Sequence, residues 1–206
     1  MTKVKICGIT NLEDATLSAK FGADALGFNF YKKSARYILP AKAKEICVEI
    51  PKRILKVGVF VNESLDRICE VAKLVSLDAI QLHGDERVEF VKELKVRTNL
   101  EIIKAFRVSE DFQPEDVLQF KADAVLLDSF SKKEYGGTGE IFDWTIAKRV
   151  CEIVPRLYLA GGLRAENVAL AIEKVSPFAV DACSSLESEK GFKNPQKVRD
   201  FIFSVK

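Results

Sequence analysis

The 206-residue sequence predicts an α/β fold: one domain over residues 1–206, in which eight parallel strands close into a barrel with helices outside. Three observations carry that expectation. Short β-rich apolar runs alternate eight times with longer stretches of helical apolar spacing. The repeat length is about 26 residues, close to the least that accommodates a strand, a three-turn helix and two short loops. The strand runs are mostly apolar, as parallel strands covered on both faces are. A compact (β/α)8 or TIM barrel satisfies all three. An open, doubly wound sheet is the competing arrangement, but the first strand ends in CGIT and lacks the GxGxxG turn that a dinucleotide-binding sheet would want there.

The strand segments are KVKICGI (3–9), ALGFNF (25–30), LKVGVFV (55–61), AIQLH (79–83), EIIKAF (101–106), AVLLD (124–128), LYLAG (157–161) and FAVDAC (178–183). Between the first two, Asn11 supplies a side-chain cap for a helix from Leu12 to Phe21, with Leu12, Ala15, Leu17 and Ala19 facing inward and Gly22 ending it. Pro40 suits a first helical turn, Ser64 a cap, and Pro114 and Pro195 two further helix starts. The longest irregular stretch, SFSKKEYGGTGEIFDW (129–144), follows the sixth strand and holds Gly136, Gly137 and Gly139 as candidate hinges. No Ser/Gly linker or charge block divides the chain.

Composition narrows the chemistry. Hydrophobic residues make up 48% and charged residues 30%, with 32 Lys and Arg against 30 Asp and Glu. This near-balance argues against nucleic acid or an anionic membrane as partner. No apolar run is long enough to span a bilayer and the N-terminus lacks a signal-peptide pattern, so a cytoplasmic protein is expected. Five scattered cysteines without a CxxC pair suggest reduced thiols, not a disulfide framework or zinc cage. With His83 as the single histidine, no multi-histidine metal site is available, and proton chemistry would rest on carboxylates, thiols, lysines or the backbone.

A barrel of this kind builds its site at the C-terminal strand ends. Gly161 and Gly162 close the seventh strand, and Ser184 and Ser185 follow the eighth, where they could begin a short extra helix. Backbone N–H groups at those two places commonly hold a phosphate, so a phosphorylated small molecule is the expected ligand. Alternation puts Lys5 and Cys7 on the inward face of the first strand, with Lys5 one step below Cys7. A buried ammonium needs a carboxylate, and Asp181 on the eighth strand is the expected partner; the same ammonium should favour the Cys7 thiolate. Asp128 ends an otherwise apolar strand and suits a general acid or a loop cap. Arg36, in YKKSARYI, suits either a carboxylate clamp or a solvated loop charge. His83 reads more readily as a rim histidine than as a catalyst, and Cys47, Cys69 and Cys151 as helix core filler.

The segments KICGIT (5–10), GADALGFNFYKKSARYI (22–38), VGVFVN (57–62), QLHGDE (81–86), LLDS with EYGGTGEIFDW (126–144), LAGGLRAENV (159–168) and VDACSSLES (180–188) together resemble the phosphoribosylanthranilate isomerases of tryptophan biosynthesis. The resemblance runs in order over almost the whole chain. It implies an Amadori rearrangement without metal or cofactor, with Cys7 as general base and Asp128 as general acid. It also implies that Arg36 holds the anthranilate carboxylate, with Gly161, Gly162 and the segment from Asp181 to Ser185 binding phosphate. One departure stands out: where the family commonly reads Ser-Ser-Gly-Val, this chain reads Cys183, Ser184, Ser185, Leu186. A glycine-dependent backbone at Ser185 is therefore in question. The alternatives are another phosphosugar isomerase barrel and a non-catalytic phosphosugar-binding barrel. Monomer and homodimer are both compatible with the sequence.

Overall fold

Lys3–Cys7 (β1) lies between two parallel neighbours, Ala25–Asn29 (β2) and Ala179–Ala182 (β8), and its pairing with the last strand is what closes the sheet. The computed structural model describes residues 1–129 and 143–206. Around the closed barrel follow Leu55–Phe60 (β3), Ala79–Leu82 (β4), Glu101–Val108 (β5), Ala124–Ser129 (β6) and Leu157–Leu159 (β7), each parallel to the next. All eight expected strands are present. β1 stops at Cys7, because Gly8 turns left-handed, and β7 stops at Leu159, before the left-handed Gly161 and Gly162. The expected hinges at Gly136, Gly137 and Gly139 lie outside the described residues.

The helices follow the capping logic. Leu12–Phe21 (α1) starts where the Asn11 side chain accepts from the Asp14 N–H, and ends on the left-handed Gly22. Pro40–Glu49 (α2) begins on its proline, and Leu65–Val75 (α3) on the Ser64 cap. Val88–Arg97 (α4), Trp144–Ile153 (α5), Ala165–Val175 (α6) and Pro195–Val205 (α7) complete the outer layer. Two expectations need correction. In α1 the buried positions are Asp14, Ala15, Ser18 and Ala19, while Leu12, the first residue of the helix, is 43% exposed. The segment after Pro114 is a 3₁₀ helix, Pro114–Phe120, whose two buried residues, Pro114 and Val117, stand three apart. That spacing eclipses side chains in a 3₁₀ helix, and the left-handed Lys121 ends the segment before a third α-helical turn can form.

Two apolar regions result. The larger lies between strands and helices and includes Leu26, Phe28, Phe60, Leu82 and Phe201. The smaller fills the barrel axis with Ala25, Val57, Ala79, Ile103, Leu126, Tyr158 and Ala179. Lys5 shares that axis, fully buried, in register with Asp181 and Ala25 on the neighbouring strands. Its Nζ lies 3.0 Å from Asp181 Oδ1, in the geometry of an ion contact without an aligned hydrogen bond. Burial alone would push the Lys5 pKa down, but the Asp181 carboxylate, helped by the Cys7 sulfur, outweighs it and the ammonium form is favoured. The expected partnership is therefore present. Among the described residues, no helix is long and apolar enough to cross a membrane.

Removing one member of such a pair strands the other charge inside the barrel. Lys5→Met should lower unfolding free energy by about 3–5 kcal/mol, while Lys5→Met with Asp181→Leu should recover most of the loss. Urea denaturation of the two variants checks this, and equal losses would mean that the charges are not energetically coupled.

Candidate active site

The inward residues at the ends of β1, β2, β3, β4, β6 and β8 meet at one mouth of the barrel. An open cleft of about 500 Å³, mouth included, is lined there by Cys7, Asn29, Arg36, Gln81, His83, Asp128, Asp181 and Cys183, among others. A second concavity of about 330 Å³ is lined by Asp128, the turn from Ala160 to Leu163, and the segment from Asp181 to Ser185. The two share Asp128, Asp181 and Cys183. Cys7, Arg36, Asp128, Gly161, Gly162, Asp181, Ser184 and Ser185 thus all line one connected region. Among the described residues, no cluster of three His, Cys, Asp or Glu side chains is arranged to hold a metal ion.

The turn after β7 exists because Gly161 has φ +82° and a Cβ there would lie 2.8 Å from the Ser129 nitrogen. The Asn167 side chain holds it by donating to the Gly162 carbonyl at 3.1 Å, and Ser185 Oγ donates to the Leu163 carbonyl, tying it to the segment after β8. Ser184–Leu186 is a single 3₁₀ turn, shorter than the helix that the serines could have begun. Its first N–H groups have no acceptor within the turn. Ser185 is not left-handed, so serine occupies without strain the position where the resembling family commonly has glycine.

Asp128 is buried at the end of β6, where its Oδ1 accepts from the Ser129 N–H at 2.8 Å. Its Oδ2 faces His83 Nε2 at 3.5 Å. Gln81 Nε2 lies 2.7 Å from His83 Nδ1, on the side of the ring away from Asp128. His83 is buried at the rim, as expected; the aspartate opposite it was not anticipated. The usable signal was the alternation in QLH, which puts Gln81 and His83 on the same inward face of β4.

Arg36 is held by Glu187, a residue that sequence reasoning did not single out. Arg36 Nε and Nη2 donate to the two Glu187 carboxylate oxygens at 3.1 and 2.7 Å. Glu187 belongs to a small antiparallel hairpin, Glu187–Glu189 (β9) with Phe192–Lys193 (β10), and Lys193 Nζ also reaches Glu187 Oε1 at 3.3 Å. Nothing in strand or helix periodicity announces a two-rung hairpin inside a βα loop, so this partner was invisible before folding.

The thiols do not behave as the sequence suggested. Cys7 stands over Gly27 of β2, where any Cβ would lie 2.6 Å from its Sγ. Interaction with the Cys183 thiol, followed by burial, pushes the Cys7 thiol well above its ordinary range against the opposing pull of Lys5. The same interaction lowers the Cys183 thiol to about 7 in spite of burial, and the charges of Lys193 and Arg36 assist. Lys193 Nζ is 3.9 Å from Cys183 Sγ. The expectation that the Lys5 ammonium would make the Cys7 thiolate available is therefore corrected: Lys5 pulls the pKa down, but the net shift is upward. The pair shares a proton, and Cys183, nearer the second cation, is the more acidic member.

Glu187→Gln would leave Arg36 and Lys193 without their carboxylate and should cost about 3–5 kcal/mol. Burial alone would raise the Glu187 pKa, but Arg36 and Lys193 hold it below the ordinary range. The stabilisation is therefore fully present above the unfolded value of about 4.3 and is lost as pH falls through the lower folded value. Melting temperatures should drop in acid for the parent protein and more shallowly for Glu187→Gln; parallel curves would exclude Glu187 as a source of the acid loss.

A closed parallel barrel with clustered proton-transfer groups and glycine- and serine-rich turns at its C-terminal mouth has the form of a (β/α)8-barrel enzyme that handles a small anionic ligand. Residues 4–204 match the N-(5'-phosphoribosyl)anthranilate (PRA) isomerase family, and the chain belongs to it. The N-(5'-phosphoribosyl)anthranilate isomerase of Thermotoga neapolitana is 46% identical over 206 residues, covering 100% of this chain and 99% of that protein. The crystal structure of phosphoribosyl anthranilate isomerase from Thermotoga maritima superposes with a TM-score of 0.92 at 43% identity, covering 99% of this chain and 98% of that one. Another structure of the enzyme, in complex with reduced 1-(o-carboxyphenylamino)-1-deoxyribulose 5-phosphate, matches with a TM-score of 0.89 at 43% identity and the same coverage.

Proposed function

We propose that this chain catalyses the Amadori rearrangement of N-(5-phosphoribosyl)anthranilate to 1-(2-carboxyphenylamino)-1-deoxyribulose 5-phosphate in tryptophan biosynthesis. The observation that carries the reading is one cleft with Cys7 and Asp128 at its wall, continuous with the Gly161–Gly162 and Ser184–Ser185 turns. Those turns hold the phosphate through backbone N–H groups, and Arg36, oriented by Glu187, meets the anthranilate carboxylate. Support also comes from the family membership and from the product-like ligand of the related complex.

The chemistry needs one acid and one base. Asp128 gives a proton to the furanose ring oxygen, the C1–O bond breaks, and the ring opens to an iminium. Cys7, as thiolate, takes the proton from C2 and leaves an enolamine, which tautomerises to the aminoketone. Cys183 is the more acidic sulfur, so the Cys7 proton passes to the Cys183 thiolate and leaves Cys7 as the base beside the Lys5 ammonium. His83 faces the Asp128 carboxyl and orients it. No step calls for a metal or a redox cofactor.

Turnover followed by loss of substrate fluorescence, with EDTA present, tests the reading. Cys7→Ser and Asp128→Asn should each lower kcat by on the order of 100-fold or more. Full activity in either variant would remove that residue from the mechanism, and tight substrate binding without turnover in the parent protein would make the chain a phosphosugar-binding barrel. A second expectation concerns pH: because the base requires one anionic sulfur and Cys183 titrates at about 7, kcat/KM should rise through that region and level off above it. A limb unmoved in Cys183→Ser would detach the limb from the thiol pair.

A further inference from the structure

We infer that Cys7 and Cys183 form an oxidisable dithiol, a modification site at which a hydroperoxide closes a disulfide across the seam between β1 and β8. The geometry is that of neighbouring strand rungs. Ile6 is in register with Ala182, so Cys7, the last residue of β1, and Cys183, the residue just past β8, come next on the two neighbouring chains, and both side chains line the same cleft. Adjacent strands run about 4.8 Å apart, inside the window of about 4.4–6.8 Å between Cα atoms that a disulfide spans. The missing side chain of Gly8 leaves room for the second sulfur, since a Cβ there would lie 2.8 Å from Cys183 Sγ.

Both thiols line the open cleft, so a small oxidant reaches them. Lys193, whose Nζ is 3.9 Å from Cys183 Sγ, favours the thiolate form of that sulfur. The Cys183 thiolate attacks the hydroperoxide O–O bond, forming sulfenic acid and releasing alkoxide or, from hydrogen peroxide, hydroxide. The Cys7 sulfur then attacks the Cys183 sulfur. The S–O bond breaks, the oxygen departs as water carrying the Cys7 proton, and two electrons in all pass from the two sulfurs to the peroxide. An external dithiol reverses the step by exchange. The remaining cysteines lack this arrangement: burial pushes Cys47 up to about 12, and Cys69 and Cys151 lie on outer helices. Cys183 stands where the resembling family commonly has serine, so the site is a property of this chain.

The cross-link does not depend on the catalytic role given to Cys7, whereas its effect on turnover does. The reduced protein, freed of reductant, would be treated with hydrogen peroxide, quenched in acid, alkylated and analysed by intact mass and peptide mapping. The expected product is about 2 Da lighter, refuses alkylation at two positions, yields a Cys7–Cys183 cross-linked peptide and reverts with dithiothreitol. Activity should fall by at least about 10-fold and return on reduction, since a disulfide sulfur cannot serve as base. Cys183→Ser and Cys7→Ser should each abolish the cross-link; in Cys183→Ser, peroxide should add oxygen atoms to Cys7 instead. Stepwise oxygen addition in the parent protein without a cross-link, or a cross-link between other cysteines, would overturn the inference. A Cys7–Cys183 cross-link that leaves turnover intact would support the dithiol and overturn Cys7 as the base.

Discussion

A single ion contact inside the barrel, Lys5 with Asp181, underlies most of what the molecule does at its mouth. It joins the first strand to the last, where a parallel barrel must close, and it places two full charges among the alanine, valine and leucine side chains of the axis. A buried pair of this kind is poor evidence of net stability, because desolvation offsets much of the attraction. Its effect here is specificity of position. A shift of one rung between β1 and β8 would turn either Lys5 or Asp181 out of the axis and leave the other charge alone, so the pair disfavours alternative registers of the closing strands. Every residue one step higher on those strands inherits that register.

Cys7 and Cys183 are the residues one step higher and one step beyond. Their proximity follows from the closure, and so does the distribution of charge around them, with Lys5 beneath the first sulfur and Lys193 beside the second. Interaction between the two thiols raises the Cys7 pKa and lowers that of Cys183, so Cys183 is the more acidic of the two although an ammonium group stands beside each. Next to Cys183, Glu187 gathers Arg36 and Lys193 into one buried cluster. The turns after β7 and β8, the thiols and the arginine are thus linked through neighbouring side chains on β1, β8 and the hairpin that follows β8.

Much of this was legible beforehand, for a local reason. Strand alternation placed Lys5 and Cys7 on one face, and the cost of an unpaired buried ammonium demanded a carboxylate on an adjoining strand. Asn11, Ser64, Pro40 and Pro195 marked helix starts because capping depends on one or two residues. The failures were non-local. Arg36 meets a residue 151 positions away, His83 faces an aspartate on a different strand, and the 3₁₀ segment after Pro114 reflects the space left between α4 and α5. A residue's periodicity says which face it occupies and not what stands opposite.

The sequence by itself determined the number and order of strands and helices, the barrel class, the inward faces and the chemical types gathered at the C-terminal mouth, since all of these follow from apolar period, caps and turn residues read a few positions at a time. Tertiary structure alone decided which sulfur of two is the more acidic, that Arg36 is already engaged by a carboxylate, and that His83 looks at Asp128. Those properties depend on distances between side chains from separate strands, and the electrostatic and hydrogen-bond energies that set them change over an ångström or two. No pattern along the chain carries that information; the closing of the barrel creates it.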